Sequence, residues 1–257
     1  LLCLLYVLGC SDCHMENIIA SGEYPVVVDL ETLMLPQARV FEDKKYEKRV
    51  TFLVSRHFFD SVLRTGLLPR WQFGPDKKPY DISGLGSIGE QELLLKKVIW
   101  KNLKTDGIKI EYQFYKLKEA LNVPVLEHKS LTPFYYKDYI IEGFKYMYSY
   151  LMTYKDVLLS SESLLKDFYK KNIRFVFRPT RTYGMLLNQS LEPRLLRDPV
   201  LWSINIDLLA RAISKPEIRG DYLWPLIKSE IFSMEQLDIP YITTSSSSND
   251  LNVPDGK

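Results

Sequence analysis

The spacing of apolar residues along the chain predicts both strands and helices. Residues 18–20 and 24–28 are short β-prone runs separated by Ser21-Gly22-Glu23, an arrangement typical of a β-hairpin. Helices are predicted at 90–104 and 138–159, and extended segments at 108–117 and 173–178. The pattern therefore favours an α+β fold.

The first ten residues are almost wholly apolar and end at Cys10. The run has no basic segment before it, and it is too short to span a bilayer. It leads directly into a polar segment that starts at Ser11. We therefore predict a buried helix that leads into this polar segment, and not a signal peptide or a membrane anchor.

Polar residues cluster immediately before and after the predicted hairpin. Asp12, His14 and Asn17 precede it, and Asp29 and Glu31 follow it. Folding about the turn should place Asn17 roughly opposite Asp29, because opposed residues in paired strands lie about 4.5–5.5 Å apart. Asp29 and Glu31 are two residues apart, so an extended backbone would direct both side chains to one face.

These side chains are suited to phosphoryl transfer. Mg²⁺ binds a few hard oxygen ligands together with phosphates and water, and Asn17 and Asp29 would supply such ligands. A separate carboxylate, here Asp12, is suited to orient or deprotonate a hydroxyl nucleophile. The alternative is that these residues only cap a turn, which is an ordinary role of Asp and Asn. The complete pattern of Asp-x-His-x-x-Asn, hairpin and Asp-x-Glu favours a catalytic centre.

A second polar cluster occupies residues 174–183. Arg174 and Arg178 alternate with aromatic residues in the predicted strand, so their guanidinium groups would project from the same face. Arg suits paired phosphate contacts, and a fixed cation stabilises a departing phosphate. A nearby hydroxyl could help to handle protons. The alternative is an exposed basic strand edge, but the first cluster favours a phosphate-binding role.

Gly84-Leu85-Gly86-Ser87-Ile88-Gly89 has the spacing of a dinucleotide-binding loop. Such a site requires a strand before the glycines and a helix after them. The prolines and charges at 73–80 predict a loop where the strand should be. We therefore predict an irregular segment at 66–89 and no dinucleotide site.

The composition is that of a soluble globular protein, because 46% hydrophobic residues over 257 positions supply a sizeable core. The net charge of +2 gives no drive toward nucleic acid or an anionic membrane. The three Cys and three His, at positions 3, 10, 13, 14, 57 and 128, do not have the spacing of a four-ligand zinc site. Cys10 and Cys13 are interpreted as an incidental pair of thiols and not a redox motif.

The string His-Met-Glu-Asn-Ile-Ile-Ala-Ser-Gly at 14–22, followed by Pro-Val-Val-Val-Asp-Leu-Glu-Thr-Leu at 25–33, resembles the dehydratase domain of class II lanthipeptide synthetases of the LanM type. Short stretches at 65–69, 81–86, 122–124, 142–144 and 238–241 extend this resemblance in order along the chain. The resemblance implies a lipid-kinase-like catalytic lobe with family-specific insertions. It also implies that Ser and Thr of a precursor peptide are phosphorylated with ATP and Mg²⁺ before phosphate elimination to dehydroalanine or dehydrobutyrine, as in lantibiotic biosynthesis.

The resemblance also implies roles for the residues around the hairpin. Asn17 and Asp29 would bind Mg²⁺ and the nucleotide, with Glu31 assisting. Asp12 would orient the substrate hydroxyl. His14 would stabilise the transferring phosphoryl group or shape the loop.

For the elimination step, Arg174 and Thr180 are the positions that best match the family's motif. Arg174 would bind the leaving phosphate, and Thr180 would take part in the elimination. Arg178, Arg181 and Tyr183 are weaker candidates for the same pocket. The implied partner is a precursor peptide with a leader and a Ser/Thr-rich core, with no nucleic acid and no stable membrane insertion.

The resemblance spans nearly this whole chain but only part of a synthetase. The catalytic loop follows eleven residues that begin with Leu1, so the N-terminal lobe that covers the nucleotide is expected to be missing. A zinc-dependent cyclase domain is expected beyond residue 257 of the full-length protein. We therefore expect 1–257 to be a partial dehydratase domain of a cytoplasmic enzyme. Two alternatives stay open: a kinase-like phosphotransferase without elimination, and a non-catalytic peptide-binding fragment.

Overall fold

The structure, a computed structural model, describes residues 1–36, 54, 57–73, 77–211 and 223–254. The chain divides into two compact units, Leu1–Ser160 and Ser161–Lys257. Each unit contains its own cluster of buried apolar side chains. The secondary structure mixes helices with small antiparallel sheets, so the predicted α+β class is confirmed.

The first unit is built mainly from antiparallel hairpins and one long helix. The strands pair as β1 with β2, β3 with β4, β5 with β6 and β7 with β8. The elements are α1 (Leu2–Val7), β1 (Ile18–Ser21), β2 (Tyr24–Val27), β3 (Gln72–Phe73), β4 (Pro79–Tyr80), β5 (Gln91–Lys101), β6 (Lys109–Leu117), β7 (Val125–Leu126), β8 (Lys129–Ser130), α2 (Lys137–Thr153) and α3 (Lys155–Leu158), with 3₁₀ turns at Val62–Thr65 and Pro133–Tyr136.

The second unit combines a three-stranded antiparallel sheet with short helices. Its strand order is β11-β10-β9, so the central strand β10 joins two partners that are distant in sequence. The elements are a 3₁₀ turn at Leu164–Phe168, β9 (Asn172–Arg174), α4 (Thr180–Ser190), α5 (Pro193–Leu196), α6 (Pro199–Ile206), α7 (Leu208–Arg211), α8 (Trp224–Glu235), β10 (Thr243–Ser245) and β11 (Leu251–Asn252).

The predicted hairpin is confirmed. Ile18 pairs with Val27 and Ser21 with Tyr24, which leaves a two-residue loop of Gly22 and Glu23. Gly22 has φ of +60°, a conformation that glycine adopts without a Cβ clash and that suits the first position of a tight hairpin turn. Both loop residues lie within the predicted Ser21-Gly22-Glu23 segment.

The apolar N-terminal run forms a buried helix, as predicted. Leu2 and Leu5 of α1 pack with Ile18 and the two cysteines Cys10 and Cys13 in the core of the first unit. Burying apolar side chains supplies the main driving force for such packing. Within the described ranges, every helix is too short or too polar to span a lipid bilayer.

The helix predicted at 90–104 is wrong, because this segment forms β5 and pairs with β6 over most of its length. The extended segment predicted at 108–117 is confirmed as β6. A shift in register between Leu93 and Lys96 interrupts the alternation that would have marked a strand in the sequence. Lys101 Nζ lies 2.8 Å from a Glu111 carboxylate oxygen across the hairpin, an exposed pair that contributes little to stability.

The long helix predicted at 138–159 is confirmed as α2 and α3. Ile140 and Phe144 of α2 pack against the core of the first unit. Tyr139 and Tyr146 are 77% and 74% exposed. One face of α2 therefore contacts the core, while these tyrosines face solvent.

The glycine-rich segment is a tightly packed loop and not a dinucleotide site. It is followed by strand β5, where a dinucleotide site would have a helix. A Cβ on Gly84 would lie 2.7 Å from the Cys13 carbonyl oxygen. A Cβ on Gly86 would overlap the Asp81 carboxylate and lie 2.5 Å from Ser83 Oγ. Close packing explains why glycine stands at both positions.

Gly86→Ala should destabilise the first unit by about 1–3 kcal/mol, because the added methyl overpacks a buried loop. It would displace the Asp81 carboxylate, which accepts from the backbone N–H groups of Arg70 at 3.1 Å and Ser83 at 2.8 Å. Thermal or urea unfolding measures the change. The matched control is Gly143→Ala in α2, where nothing lies within 4 Å of an added Cβ and alanine favours the helix. Equal stability of both variants would contradict the packing argument.

Candidate functional site

Asp12, His14 and Asn17 lie together in the loop between α1 and β1. The Asn17 side-chain amide donates to the Asp12 carbonyl at 2.9 Å. His14 Nε2 is 3.9 Å from an Asp12 carboxylate oxygen. The side chains of Asp12 and His14 retain 48% and 26% exposure, so solvent reaches both. The structure therefore brings these three predicted residues into one loop, residues 11–17, which is the candidate catalytic loop.

A hydrogen bond fixes the orientation of the His14 ring. The Glu16 backbone N–H donates to Nδ1 at 3.1 Å, so Nδ1 is the unprotonated nitrogen. In neutral His14 the proton is therefore on Nε2, the atom that faces Asp12. At 3.9 Å this contact is too long for a hydrogen bond, which leaves Nε2–H oriented to donate to another group.

The backbone of the catalytic loop is held by segments that are distant in sequence. Cys13 N–H donates to the Thr65 carbonyl at 2.8 Å, and Met15 N–H donates to the Ile82 carbonyl at 2.9 Å. The side-chain amide of buried Asn122 donates to the carbonyls of Met15 and Ile18, at 3.0 and 2.7 Å. These bonds fix the loop before any ligand binds, a condition that efficient catalysis requires.

A pair of buried thiols lies beneath the loop. The sulfur atoms of Cys10 and Cys13 are 3.3 Å apart, and both residues are fully buried. The hydrogen bond from Cys13 lowers the pKa of Cys10 to about 6. The same contact, together with burial, raises the pKa of Cys13. Both cysteines are free thiols and form part of the core that supports Asp12.

The placement of Asp29 and Glu31 differs from the prediction. Val28 N–H donates to the Asn17 carbonyl at 3.0 Å, so Asn17 faces Val28 and Asp29 is the next residue along the chain. Strand β2 ends at Val27, and the Asp29 carboxylate accepts from Glu31 N–H at 3.0 Å. This local side-chain to backbone bond replaces strand pairing. The prediction that Asp29 and Glu31 share a strand face is therefore wrong.

The donor set around the loop is compatible with Mg²⁺. The Asn17 hydrogen bond uses the amide nitrogen and spares the amide oxygen, the atom that a hard cation requires. The Asp29 carboxylate is exposed and follows directly on the residue that pairs with Asn17. Within the described part of the chain, no cluster of three or more His, Cys, Asp or Glu residues could hold a metal. One amide and one carboxylate suit a cation that is bound partly by phosphates and water.

The second unit brings Arg174 and Thr180 into contact. Arg174 pairs with Thr243 at the end of β9, and Phe175 N–H still donates to the Ile242 carbonyl at 2.8 Å. The chain then turns into α4, which begins at Thr180. Arg174 Nη2 donates to Thr180 Oγ1 at 3.1 Å. Two residues that the family resemblance identified thus form one hydrogen-bonded pair.

Arg178 does not project beside Arg174 as predicted. The strand ends at Arg174, so the alternation that placed both guanidinium groups on one face stops there. Arg178 Nε donates to Glu230 Oε1 of α8 at 2.7 Å, and its Nη2 donates to the Leu209 carbonyl at 2.8 Å. The ion pair with the buried Glu230 carboxylate therefore holds the Arg178 guanidinium inside the unit. Arg181 is exposed on the first turn of α4.

Tyr183 also points to Glu230. Its hydroxyl donates to Glu230 Oε1 at 2.6 Å, and Tyr183 is only 3% exposed. Burial, then the hydrogen bond and the negative charge of Glu230, raise the pKa of Tyr183 above its ordinary value. Tyr183 therefore stays protonated and acts as a donor to Glu230.

Glu230 is the residue of this site that sequence reasoning missed. It is fully buried, although an isolated charged side chain is costly to bury. The available signal was its position on the buried stripe of α8, in register with Leu226, Ile227 and Met234. A glutamate at an apolar position of a helix indicates a buried partner elsewhere in the chain.

Comparison with known proteins agrees with the sequence resemblance. Residues 1–245 match the family described as a domain of unknown function, DUF4135. Over 265 residues the chain is 29% identical to the lacticin 481/lactococcin biosynthesis protein LcnDR2 of Lactococcus lactis subsp. lactis. This match covers 100% of the chain but only 26% of the relative's length. The chain thus belongs to the DUF4135 family and is a homologue of a lantibiotic biosynthesis protein.

Proposed function

We propose that this chain carries the dehydratase activity of a lanthipeptide synthetase. In the proposed reaction, Ser and Thr of a precursor peptide are first phosphorylated with ATP and then lose phosphate. The hydrogen bond between Arg174 and Thr180 carries this proposal, because a kinase that stops at phosphorylation has no evident use for a second phosphate-binding pair. The relation to a lacticin 481/lactococcin biosynthesis protein supports it.

For phosphorylation, the proposed groups lie in and after the catalytic loop. The Asp12 carboxylate would accept a hydrogen bond from the substrate hydroxyl and orient its oxygen for attack. Nε2–H of His14 would donate to the transferring phosphoryl group. Asn17 and Asp29 would hold Mg²⁺, with Glu31 assisting, and the ion would offset the negative charge of the phosphates.

For elimination, solvent water would accept the Cα proton of the phosphorylated residue, the C–H electron pair would form the C=C bond, and the Cβ–O bond would break so that phosphate leaves with its bonding electrons. The Arg174 guanidinium would bind the phosphate as its charge increases. Because Thr180 Oγ1 accepts from Arg174, its own hydroxyl proton remains to be donated to a phosphate oxygen.

The architecture proposed for this function is the catalytic lobe of a lipid-kinase-like fold. The order of catalytic loop, antiparallel hairpin and acidic pair supports that assignment. The proposal includes a precursor peptide as the partner, a cytoplasmic location and a cyclase domain in the full-length synthetase. The match to 26% of a longer relative is consistent with one domain of such a protein.

The test is a reaction of the protein with ATP, Mg²⁺ and a probe peptide, followed by mass spectrometry. The precursor of lacticin 481 is a suitable probe because the relative is a lacticin 481/lactococcin biosynthesis protein. We expect ATP-dependent loss of water from the probe. A product that keeps its phosphate would indicate a phosphotransferase without elimination. Binding of the probe without loss of water and without added phosphate would indicate a peptide-binding fragment.

A further inference from the structure

The carboxylate of Glu230 organises the residues around the proposed elimination pair. Two donors converge on its Oε1 atom, Arg178 Nε at 2.7 Å and Tyr183 Oη at 2.6 Å. Its second oxygen, Oε2, is buried and has no hydrogen-bond partner among the residues that the structure describes. Glu230 Oε1 therefore accepts both hydrogen bonds.

The two tethered residues lie on either side of Thr180. Arg178 is two residues before it, in the turn that leaves β9, and Tyr183 is three residues after it, in the first turn of α4. Arg178 is further fixed by its bond to the Leu209 carbonyl. Glu230 therefore anchors the chain on both sides of Thr180.

Stability alone does not account for this arrangement. Replacing a buried ion pair by apolar side chains of similar size is often neutral or stabilising, because the charges lose their hydration on burial. Glu230 is 0% exposed and Arg178 only 16%, so both are largely removed from water. Arg178 is thus paired with Glu230, and Arg174 donates to Thr180.

We propose that Glu230 is a positioning residue for phosphate elimination, which holds Arg178 and Tyr183 so that Thr180 meets Arg174. This inference rests on the proposed function. Glu230 itself contacts neither Arg174 nor Thr180 in the hydrogen bonds of the described structure, so it acts through the segment that it anchors. Misplacement of reacting groups by about 1 Å is enough to slow a reaction about 10²-fold.

The test compares the wild type with three variants of the full chain. Glu230→Gln keeps the shape of the side chain but removes its charge. A triple variant, Arg178→Met with Tyr183→Phe and Glu230→Met, removes the whole network without leaving an unpaired buried charge, and thermal unfolding checks that it folds. Glu235→Gln is the control, an exposed glutamate on the same helix.

Two readouts are measured, and the first needs no substrate. Amide hydrogen exchange in 174–183 should accelerate about tenfold in Glu230→Gln, whose neutral oxygen accepts weaker bonds, and in the triple variant, which lacks these bonds. Exchange in 14–28 should stay unchanged. With ATP, Mg²⁺ and the lacticin 481 precursor as probe, both variants should accumulate phosphopeptide at an unchanged rate of phosphorylation, while Glu235→Gln behaves as the wild type.

The outcomes separate this inference from the proposed function. A folded triple variant with wild-type exchange or wild-type elimination would overturn the positioning role. A loss of phosphorylation and elimination together would indicate a structural role only, and would also overturn it. If the wild type leaves the probe unchanged, the proposed function fails and the exchange readout decides alone. Faster exchange in 174–183 then supports only the anchoring of this segment by Glu230, and unchanged exchange refutes that anchoring.

Discussion

Asp12→Ala should abolish phosphoryl transfer to a probe peptide, with a loss of about 10²–10⁴-fold, the usual contribution of a positioned acid or base. Asp12 is the carboxylate proposed to orient the substrate hydroxyl, and its side chain is 48% exposed next to His14. Without it, the substrate hydroxyl loses the group that orients it. Mass spectrometry of the peptide and release of ADP measure the effect.

The effect of Asp12→Ala should be on catalysis and not on folding. The bond from the Asn17 amide goes to the backbone carbonyl of Asp12, and the Cys13–Thr65 bond is also a backbone bond, so both survive the substitution. The control is Glu16→Ala, an exposed side chain of the same loop. A phosphopeptide formed at the wild-type rate by Asp12→Ala would remove Asp12 from the mechanism.

Arg174→Ala should let phosphorylated peptide accumulate. The variant keeps the catalytic loop in the first unit but loses the cation that would stabilise the leaving phosphate. Removing one donor of this kind typically costs about 10²–10³-fold in rate. The ratio of phosphorylated to dehydrated peptide, followed over time by mass spectrometry, measures the loss.

Thr180→Ala should give the same product as Arg174→Ala, since both residues belong to one hydrogen-bonded pair. Substitutions at residues that act as a unit do not have additive effects on rate. Elimination should therefore be little slower in the double variant than in either single variant. Arg194→Ala, an exposed arginine of α5, is the control for charge. Intact dehydration by Arg174→Ala, without a phosphorylated intermediate, would contradict the assignment.

Features set by neighbouring residues were predictable from the sequence. The β1–β2 hairpin follows from two β-prone runs and a glycine that takes positive φ, all within ten residues. The Arg174 to Thr180 pair spans six residues, and the family resemblance of segment 174–183 identified both positions. Local patterns therefore predicted the hairpin and the two residues of this pair.

Features set by distant partners were not predictable. The segment 91–101 has no clear secondary-structure preference of its own. It becomes a strand because residues 109–117 supply its hydrogen-bond partners. Arg178 points inward because Glu230, 52 residues away in sequence, offers a buried carboxylate. Asp29 misses its expected partner by one residue, since register depends on where the turn forms.

The bonds that Thr65, Ile82 and Asn122 make to the catalytic loop have a consequence for moving this loop between related proteins. Grafting residues 11–31 alone into a related scaffold would separate the loop from the carbonyls and the amide that shape it. The smallest transferable cassette is discontinuous, with segments from 65–67, 82–87 and 122 moving together with the motif. Directed evolution of substrate scope should likewise treat these positions as one linked set.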